Sequence, residues 1–477
     1  MYTKRFLTPV LFIILPALLL ISCKKLVEID GPVDTITTKQ IFASNKEAEW
    51  AVTGLYSKLI NGFFSGNYTV VGEANYSSGL CTILGGLSSD DLQPPANSLD
   101  YRFVSTNNLN IFQAGITVPL WTTAYKSIYD ANAIIEGIAA SEGQYLTDSA
   151  RRQLTGEALS IRAFAYFYLV NFYGGLPLAL SIDFNKTASL SRSPVNKVYE
   201  QITADLKQAI PLLQTDYTAG KSERVRINRW FAEALLARVS LYSGDYQQAI
   251  TSAGAVIGHT QLYSLEDPAN AFFNTSKEAI LQLKQTFESG YGYATPEGYS
   301  IRNRFTLPES LINSFEPNDK RKISWTRFEN NNWYPDKYKL GPYNSYNNMN
   351  EYYVVMRLSE LYLIRAEATI LLSASNTTSA INDLNELRGR SNATLFPTDL
   401  TATEVTEAIA SERRRELFAE WGHRWLDLKR TGKAREVLSA ISYKQPWKGD
   451  YQLLYPIPVN DLRDNPNLKQ NEGYINL

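Results

Sequence analysis

Two kinds of side chain in this 477-residue chain could do chemistry: carboxylates set among arginines, and aromatic rings set among amides. The stretch "ERRREL" places Glu412, Arg413, Arg414, Arg415 and Glu416 on a predicted helix that Thr401 opens, with Glu404 in the capping-box position. Residues of these types can act as general acids, bases or phosphate clamps. Arg413, however, lies four residues from both Ile409 and Leu417 and shares their apolar face, where an unpaired charge is costly. The group therefore reads as inter-helix ion pairs, with Glu367 of "RAEA", or Glu157 beside Arg162, as candidate partners. Asp427 in "RWLDLKR" reads the same way. His259 and His423 are the two histidines of the chain and neither has a ligand-spaced neighbour, so no metal site and no Ser-His-Asp or Cys-His nucleophile is assigned. "SSDDLQ", with Asp90 and Asp91, lacks the remaining oxygen ligands of a calcium loop and reads as a turn or as acceptors for a ligand. "GYGYATPEGYS" is rich in glycine but has no lysine or helix start placed for a phosphate loop. No catalytic residue, metal or cofactor follows from these patterns.

The aromatic residues carry more. The chain holds 30 Tyr, 8 Trp and 20 Phe, and many fall in loop-like stretches beside Asn, Asp and Gly. A sugar ring has an apolar C–H face and a rim of hydroxyls, so a site for it needs flat rings with amides or carboxylates alongside. Tyr and Trp supply rigid area at little entropy cost, and Asn adapts its hydrogen bonds. "FENNNWYPDKY" offers this mixture at Asn332, Trp333 and Tyr334, after Asn330 and Asn331. Tyr291 and Tyr293, Tyr76, Asp91, and Tyr101 and Arg102 of "SLDYRF", beside Asp100, complete the candidate ligand-binding set. The competing reading is that these rings pack loops onto helices, because aromatics mainly fill cores. Trp121, Trp230, Trp421 and Trp425 lie on helix patterns and are assigned to the core. A glycoside hydrolase would instead need two carboxylates about 5 to 9 Å apart across a cleft; Asp90, Asp91, Asp100 and Glu297 are the loop acids that could supply them.

Helices must position these loops. Leu159, Ala163, Tyr166, Val170 and Tyr173 recur at alternating spacings of four and three, with Thr147 as N-cap and Gly174-Gly175 as a stop. Ala51, Leu55, Tyr56 and Leu59 mark an earlier helix, and Leu120, Ala124, Ile128 and Ala131 another behind Pro119. Ser193-Pro194 offers an N-cap followed by proline at the first helical position, and Pro211 should end that helix. Leu236, Ala237, Gly244, Tyr246 and Ala249 fall at the offsets of a tetratricopeptide hairpin, and Ala368 and Ala380 repeat the spacing of Ala237 and Ala249. Such hairpins bury their apolar faces only by stacking. The expected fold is all-α, a helical-hairpin array with two long irregular regions, about 62–115 and 286–350, left for function.

At the start of the chain, Phe6 to Ile21 is apolar apart from Thr8 and follows Lys4 and Arg5. As a helix it would reach roughly 24 Å, short of the roughly 30 Å of a bilayer core. It reads as a signal peptide, and "LISC" resembles a bacterial lipobox in which Cys23 is lipidated. The organisation expected is a leader at 1–22, a lipidated tether at 23–45 and a helical domain at 46–477, divided near 220. A formal net charge of -1 gives no basic footprint for nucleic acid.

Taken in order, "GEALSIRAFAYFYLVNFYGGLPL", "YYVVMRLSELYLIRAEA", "INDLNELRGRSN", "ERRRELFAEWGHRWLDLKRTG" and "LLYPIPVNDLRDNPNLKQNEGY" resemble the SusD/RagB family of nutrient-binding outer-membrane lipoproteins. The resemblance runs from the lipobox to Tyr474. It implies a surface-exposed, non-enzymatic protein with a tetratricopeptide scaffold, paired with a SusC-like TonB-dependent transporter. Its ligand would be an oligosaccharide, or a peptide as in the RagB branch. Asp319, Arg321, Lys337 and Tyr338 match recurrent positions of the family, which implies scaffold roles for them.

Overall fold

The computed structural model describes residues 41–61, 64, 65, 68, 69, 75–112, 114–285, 294–341 and 350–474. The leader, Cys23, the tether up to residue 40, Tyr291 and Tyr293 lie outside these residues. Helix α1 (Asn45–Asn61) leads to α2 (Cys81–Ser88), α3 (Val118–Ala139), α4 (Asp148–Tyr173), α5 (Val195–Ala209), α6 (Arg229–Ser243) and α7 (Tyr246–Ile257). Strands β1 (Ala279–Leu283), β2 (Thr326–Glu329), β3 (Asn332–Pro335) and β4 (Tyr353–Arg357) follow. The chain then forms α8 (Leu358–Leu372), α9 (Thr377–Arg390), α10 (Ala402–Leu417) and α11 (His423–Arg430). From α3 to α9 each helix packs on the next, and α10 lies against both α8 and α9. The result is a stack of hairpins in which every helix covers its neighbour's apolar face.

Helix α4 is the central element. Thr147 Oγ1 accepts from the Ala150 N–H at 3.3 Å to start it, and Gly174 at φ +78° ends it. Almost every residue from Gln153 to Tyr173 is buried, so its apolar residues are not confined to one stripe. At the α6–α7 turn, Gly244 has φ +85° with open space around it, so backbone conformation, not crowding, calls for glycine there. Ala237, Ala249, Ala368 and Ala380 are fully buried, as close helix contact requires. Helix α5 differs from expectation by one residue: Pro194 occupies the cap position and the helix starts at Val195. Ser193 is engaged elsewhere, exchanging backbone hydrogen bonds with Leu176 at 2.7 and 3.0 Å.

The two irregular regions hold more structure than the sequence suggests. The first contains α2 and a short helix, Leu99–Ser105. All eight residues of α2 are buried, so it shows no amphipathic pattern to detect. A Cβ on its Gly85 would stand 2.5 Å from the Cα of Gly422, itself at φ +74°, so α2 meets the start of α11 backbone to backbone. The second contains the β2–β3 hairpin. Strands β1 and β4, buried at every position, form a second antiparallel pair beneath the helices.

Candidate ligand-binding surface

The charged motif is scaffold. Glu412 and Glu416 are fully buried and accept hydrogen bonds from arginines of several elements. Arg321 reaches Glu412 at 2.6 Å and Glu416 at 2.9 Å while also holding Asp319 at 2.8 Å. Arg357 bridges Glu278 (2.7 Å), Glu416 (2.5 Å) and Glu420 (2.8 Å), and Arg390 adds 2.5 Å to Glu416. Burial alone would push the Glu416 carboxyl up; Arg390, Arg357 and Arg321 overcome it and hold the group well below the usual carboxylate range. Lys337 pairs with Glu420, and the Tyr338 hydroxyl accepts from the Val354 N–H at 2.9 Å. Arg413 pairs with Asp427 at 2.7 Å, with Glu367 at 3.7 Å; Glu157 instead takes Arg226 at 2.7 Å, and Arg162 takes Asp205 at 2.6 Å. His423 is buried, and burial pushes its imidazole down to about 4; His259 packs on Trp230 at 3.7 Å between ring centroids. Trp121, Trp230, Trp421 and Trp425 are all core residues. Among the described residues no group of three or more His, Cys, Asp or Glu is placed to hold a metal ion, and no helix is long and apolar enough to cross a membrane.

The loop candidates divide. The Tyr76 ring is sealed in the core beside Phe164, which corrects its assignment to a ligand face. Asp91 is also withdrawn from that face: it is buried, its carboxylate accepts from the Ala419 N–H at 2.8 Å, and burial pushes it up to about 6. Of the other loop acids, Asp90 is held by Arg424 (2.7 Å) and Arg414 (3.0 Å). Glu297 is buried under the Thr82 and Tyr353 hydroxyls, with burial pushing it up to about 8, whereas Asp100 is exposed.

The remaining candidates come together. In the hairpin, Asn330 and Asn331 have φ +50° and +61°, the left-handed pair that a tight two-residue turn needs, so the turn itself accounts for these two asparagines. Asn332 is exposed and its amide donates to Asn330 O at 2.9 Å. Trp333 and Tyr334 are half-buried; Phe328, 56% exposed, lies opposite Trp333 with ring centroids 5.0 Å apart, and the Arg327 guanidinium sits 5.1 Å from the Tyr334 ring. The Trp333 carbonyl accepts from the Leu307 N–H at 2.8 Å, and Thr306 bridges to Gln93 through two backbone hydrogen bonds of 2.9 and 3.2 Å. Phe305 then meets the Tyr101 ring edge-on at 5.0 Å. Residues 93–102, 304–307 and the hairpin are thus tied into one connected unit. On it Tyr101 contributes mainly its packing against Phe305, while Arg102 is exposed. Behind it, Lys444 donates to Leu87 O (3.0 Å), Ser88 O (3.0 Å), Ser105 O (2.6 Å) and Asn107 Oδ1 (2.8 Å), and burial pushes its amine down to about 7. Sequence reasoning missed Phe328, while Phe305 is a core residue that packs Tyr101 from within. The Asn-Asn turn was the available signal for Phe328, because it fixes the register that sets Phe328 against Trp333.

Residues 90–241 match a family described as starch-binding and associating with the outer membrane, and residues 312–474 match the SusD family. The chain belongs to the SusD/RagB family. The SusD-like protein P38 of Formosa agariphila is 26% identical over 97% of this chain and 98% of its own. The starch-binding protein SusD of Bacteroides thetaiotaomicron is 37% identical over 129 residues, 25% of this chain and 21% of its own. Among solved structures, a SusD superfamily protein from Bacteroides vulgatus aligns with a TM-score of 0.76 at 19% identity, covering 91% of this chain and 100% of that one. A laminarin-binding SusD-like protein aligns with a TM-score of 0.73 at 24% identity, with the same coverage. These structures establish the SusD-like helical fold for this chain, and the family places it in association with the outer membrane.

Proposed function

We propose that this SusD-like protein captures oligosaccharides at the cell surface and passes them, unaltered, to a SusC-like TonB-dependent transporter. A leader at 1–22 and lipidation of Cys23 would fix it to the outer membrane, with residues 23–45 as tether and 46–477 as the binding domain. The observation that carries this reading is the β2–β3 hairpin, which presents half-buried rings on both faces: Trp333 beside the exposed Phe328 on one, and Tyr334 on the same side as the exposed Asn332 on the other. Rings for the sugar face and polar groups for its hydroxyls are the two things such a ligand needs. Binding rather than hydrolysis is favoured because Asp90 is engaged by two arginines and Asp91 and Glu297 are sealed from solvent. The starch- and laminarin-binding relatives support a glycan over a peptide.

Affinity gel electrophoresis against laminarin, starch and other polysaccharides tests the reading. Retardation by at least one glycan, lost in Trp333→Ala and accompanied by no new reducing ends, is the expected result. Retention of a peptide mixture with no glycan retarded would overturn it.

A further inference from the structure

A second aromatic hollow lies on another part of the molecule. Two adjoining cavities of about 600 and 560 Å³ share Trp121, Tyr125, Tyr129 and Asp461, and none of their lining residues belongs to the hairpin or to the Leu99–Ser105 segment. Both volumes fall within the range of ligand sites. Tyr129 is 54% exposed and Phe184, from the segment after α4, is 76% exposed, so two large rings stand at this hollow without a covering partner. Deeper in, the rings are fixed by their own polar handles. The Trp121 indole N–H donates to Asp461 Oδ1 at 3.0 Å, the Tyr125 hydroxyl donates to Pro177 O at 2.9 Å, and the two rings pack 4.8 Å apart. With those handles spent, Trp121 and Tyr125 brace the floor instead of competing for a ligand. The carboxylates of Asp461 and Asp464 stand beside the rings. Asp130, paired with Lys58 at 2.6 Å, forms part of the rim.

Two rings open to solvent above a braced aromatic floor, next to oxygen acceptors, are the arrangement that a sugar's apolar face and hydroxyl rim require. Asp461 accepts from the Trp121 indole, Asp464 pairs with Arg463 at 3.2 Å, and Lys58 and Lys126 line the second cavity, so the groove offers polar groups of both signs and suits a neutral, hydroxyl-rich ligand better than an alkyl chain or an anion. We propose that this groove is a second oligosaccharide-binding site for a neutral glycan, independent of the hairpin face, with Tyr129 and Phe184 as its platforms. The inference rests on the glycan-capture reading above. Two sites on one chain would hold a polysaccharide long enough to span them more tightly than either holds a short piece, because the second contact is made at high effective concentration.

The test is isothermal titration with a short oligosaccharide, cut from whichever of laminarin or starch retards the protein, alongside affinity gels with the parent polymer. Two equivalents are expected for the wild type, one of which disappears in the Tyr129→Ala/Phe184→Ala double variant while the other disappears in Trp333→Ala. Polymer affinity should fall at least tenfold in the double variant. Both rings are largely exposed, so the double variant should melt close to the wild type, which a thermal scan checks. If the wild type binds glycan with one equivalent, or the double variant keeps both equivalents and full polymer affinity, the second site is overturned and the hairpin reading stands. If the wild type binds neither polymer, both fall together. A double variant that keeps its sugar binding but no longer co-purifies with the transporter would assign the groove to a protein partner and overturn the proposal.

Discussion

The lattice around Glu416 and the face around Trp333 are built from the same residue types, arginines, acids and tryptophans, yet they are opposites in exposure and in how completely their groups are satisfied. At Glu416 the carboxylate meets three guanidiniums, those of Arg321, Arg357 and Arg390, and is fully buried. At Trp333 the backbone is pinned by a few hydrogen bonds while the residue is only half-buried, beside the exposed Phe328. Perturbed acids and rich arginine content mark structural cross-linking in this molecule, and half-exposed rings mark the proposed binding face.

The largest effect that could break this contrast is on the lattice. Glu416→Gln leaves Arg321, Arg357 and Arg390 short of a buried counter-charge and should cost about 3–5 kcal/mol of stability in urea unfolding. A loss under about 1 kcal/mol would show that the lattice is not what holds these elements together. On the open face, Trp333→Ala should reduce glycan affinity at least tenfold, about 1.4 kcal/mol, with a melting temperature within a few degrees of the wild type. A large fall in melting temperature with binding retained would move Trp333 to the scaffold.

Glu297 sits between the two regions and gives a pH test. Its carboxyl is held at about 8 in the fold against an ordinary value of 4.5, because burial disfavours the charged form. The folded chain therefore binds this proton more tightly than the unfolded chain. That stabilisation is complete below about 4.5 and is lost as pH rises through about 8. Glu297→Gln stays neutral throughout, so its stability relative to wild type should climb between about pH 5 and pH 8 and then level off. A flat difference would show that the carboxyl ionises freely. The smallest effect is expected for Phe328→Ala, which removes the ring against Trp333 and should weaken glycan binding a few-fold by letting the platform tilt.

Much of the helical frame was legible because its signals are local. Thr147, Gly174, Gly244 and the Thr401–Glu404 capping box each act within a few residues, and each does in the structure what its spacing implies. Helix α2 was illegible because a helix buried on every side has no polar face to set its period. The proposed site was legible in part. Trp333 and Tyr334 lie on an accessible surface, but Tyr76 and Asp91 are buried by partners far along the chain, Phe164 for one and the Ala419 N–H for the other. No local pattern reports such distant contacts. Asn330 and Asn331 look like ligand amides in the sequence, although their left-handed backbone shows that the turn demands them.

Lys444 gathers oxygens from Leu87, Ser88, Ser105 and Asn107 around one ammonium and so cinches both ends of the intervening segment to the C-terminal part of the chain. The freedom of that segment is surrendered when the protein folds, well before any cargo arrives. On the proposed reading, capture resembles landing on a finished jaw: little ordering entropy would remain to oppose it, and the encounter rate would be governed by diffusion and orientation instead of by waiting for a loop to settle.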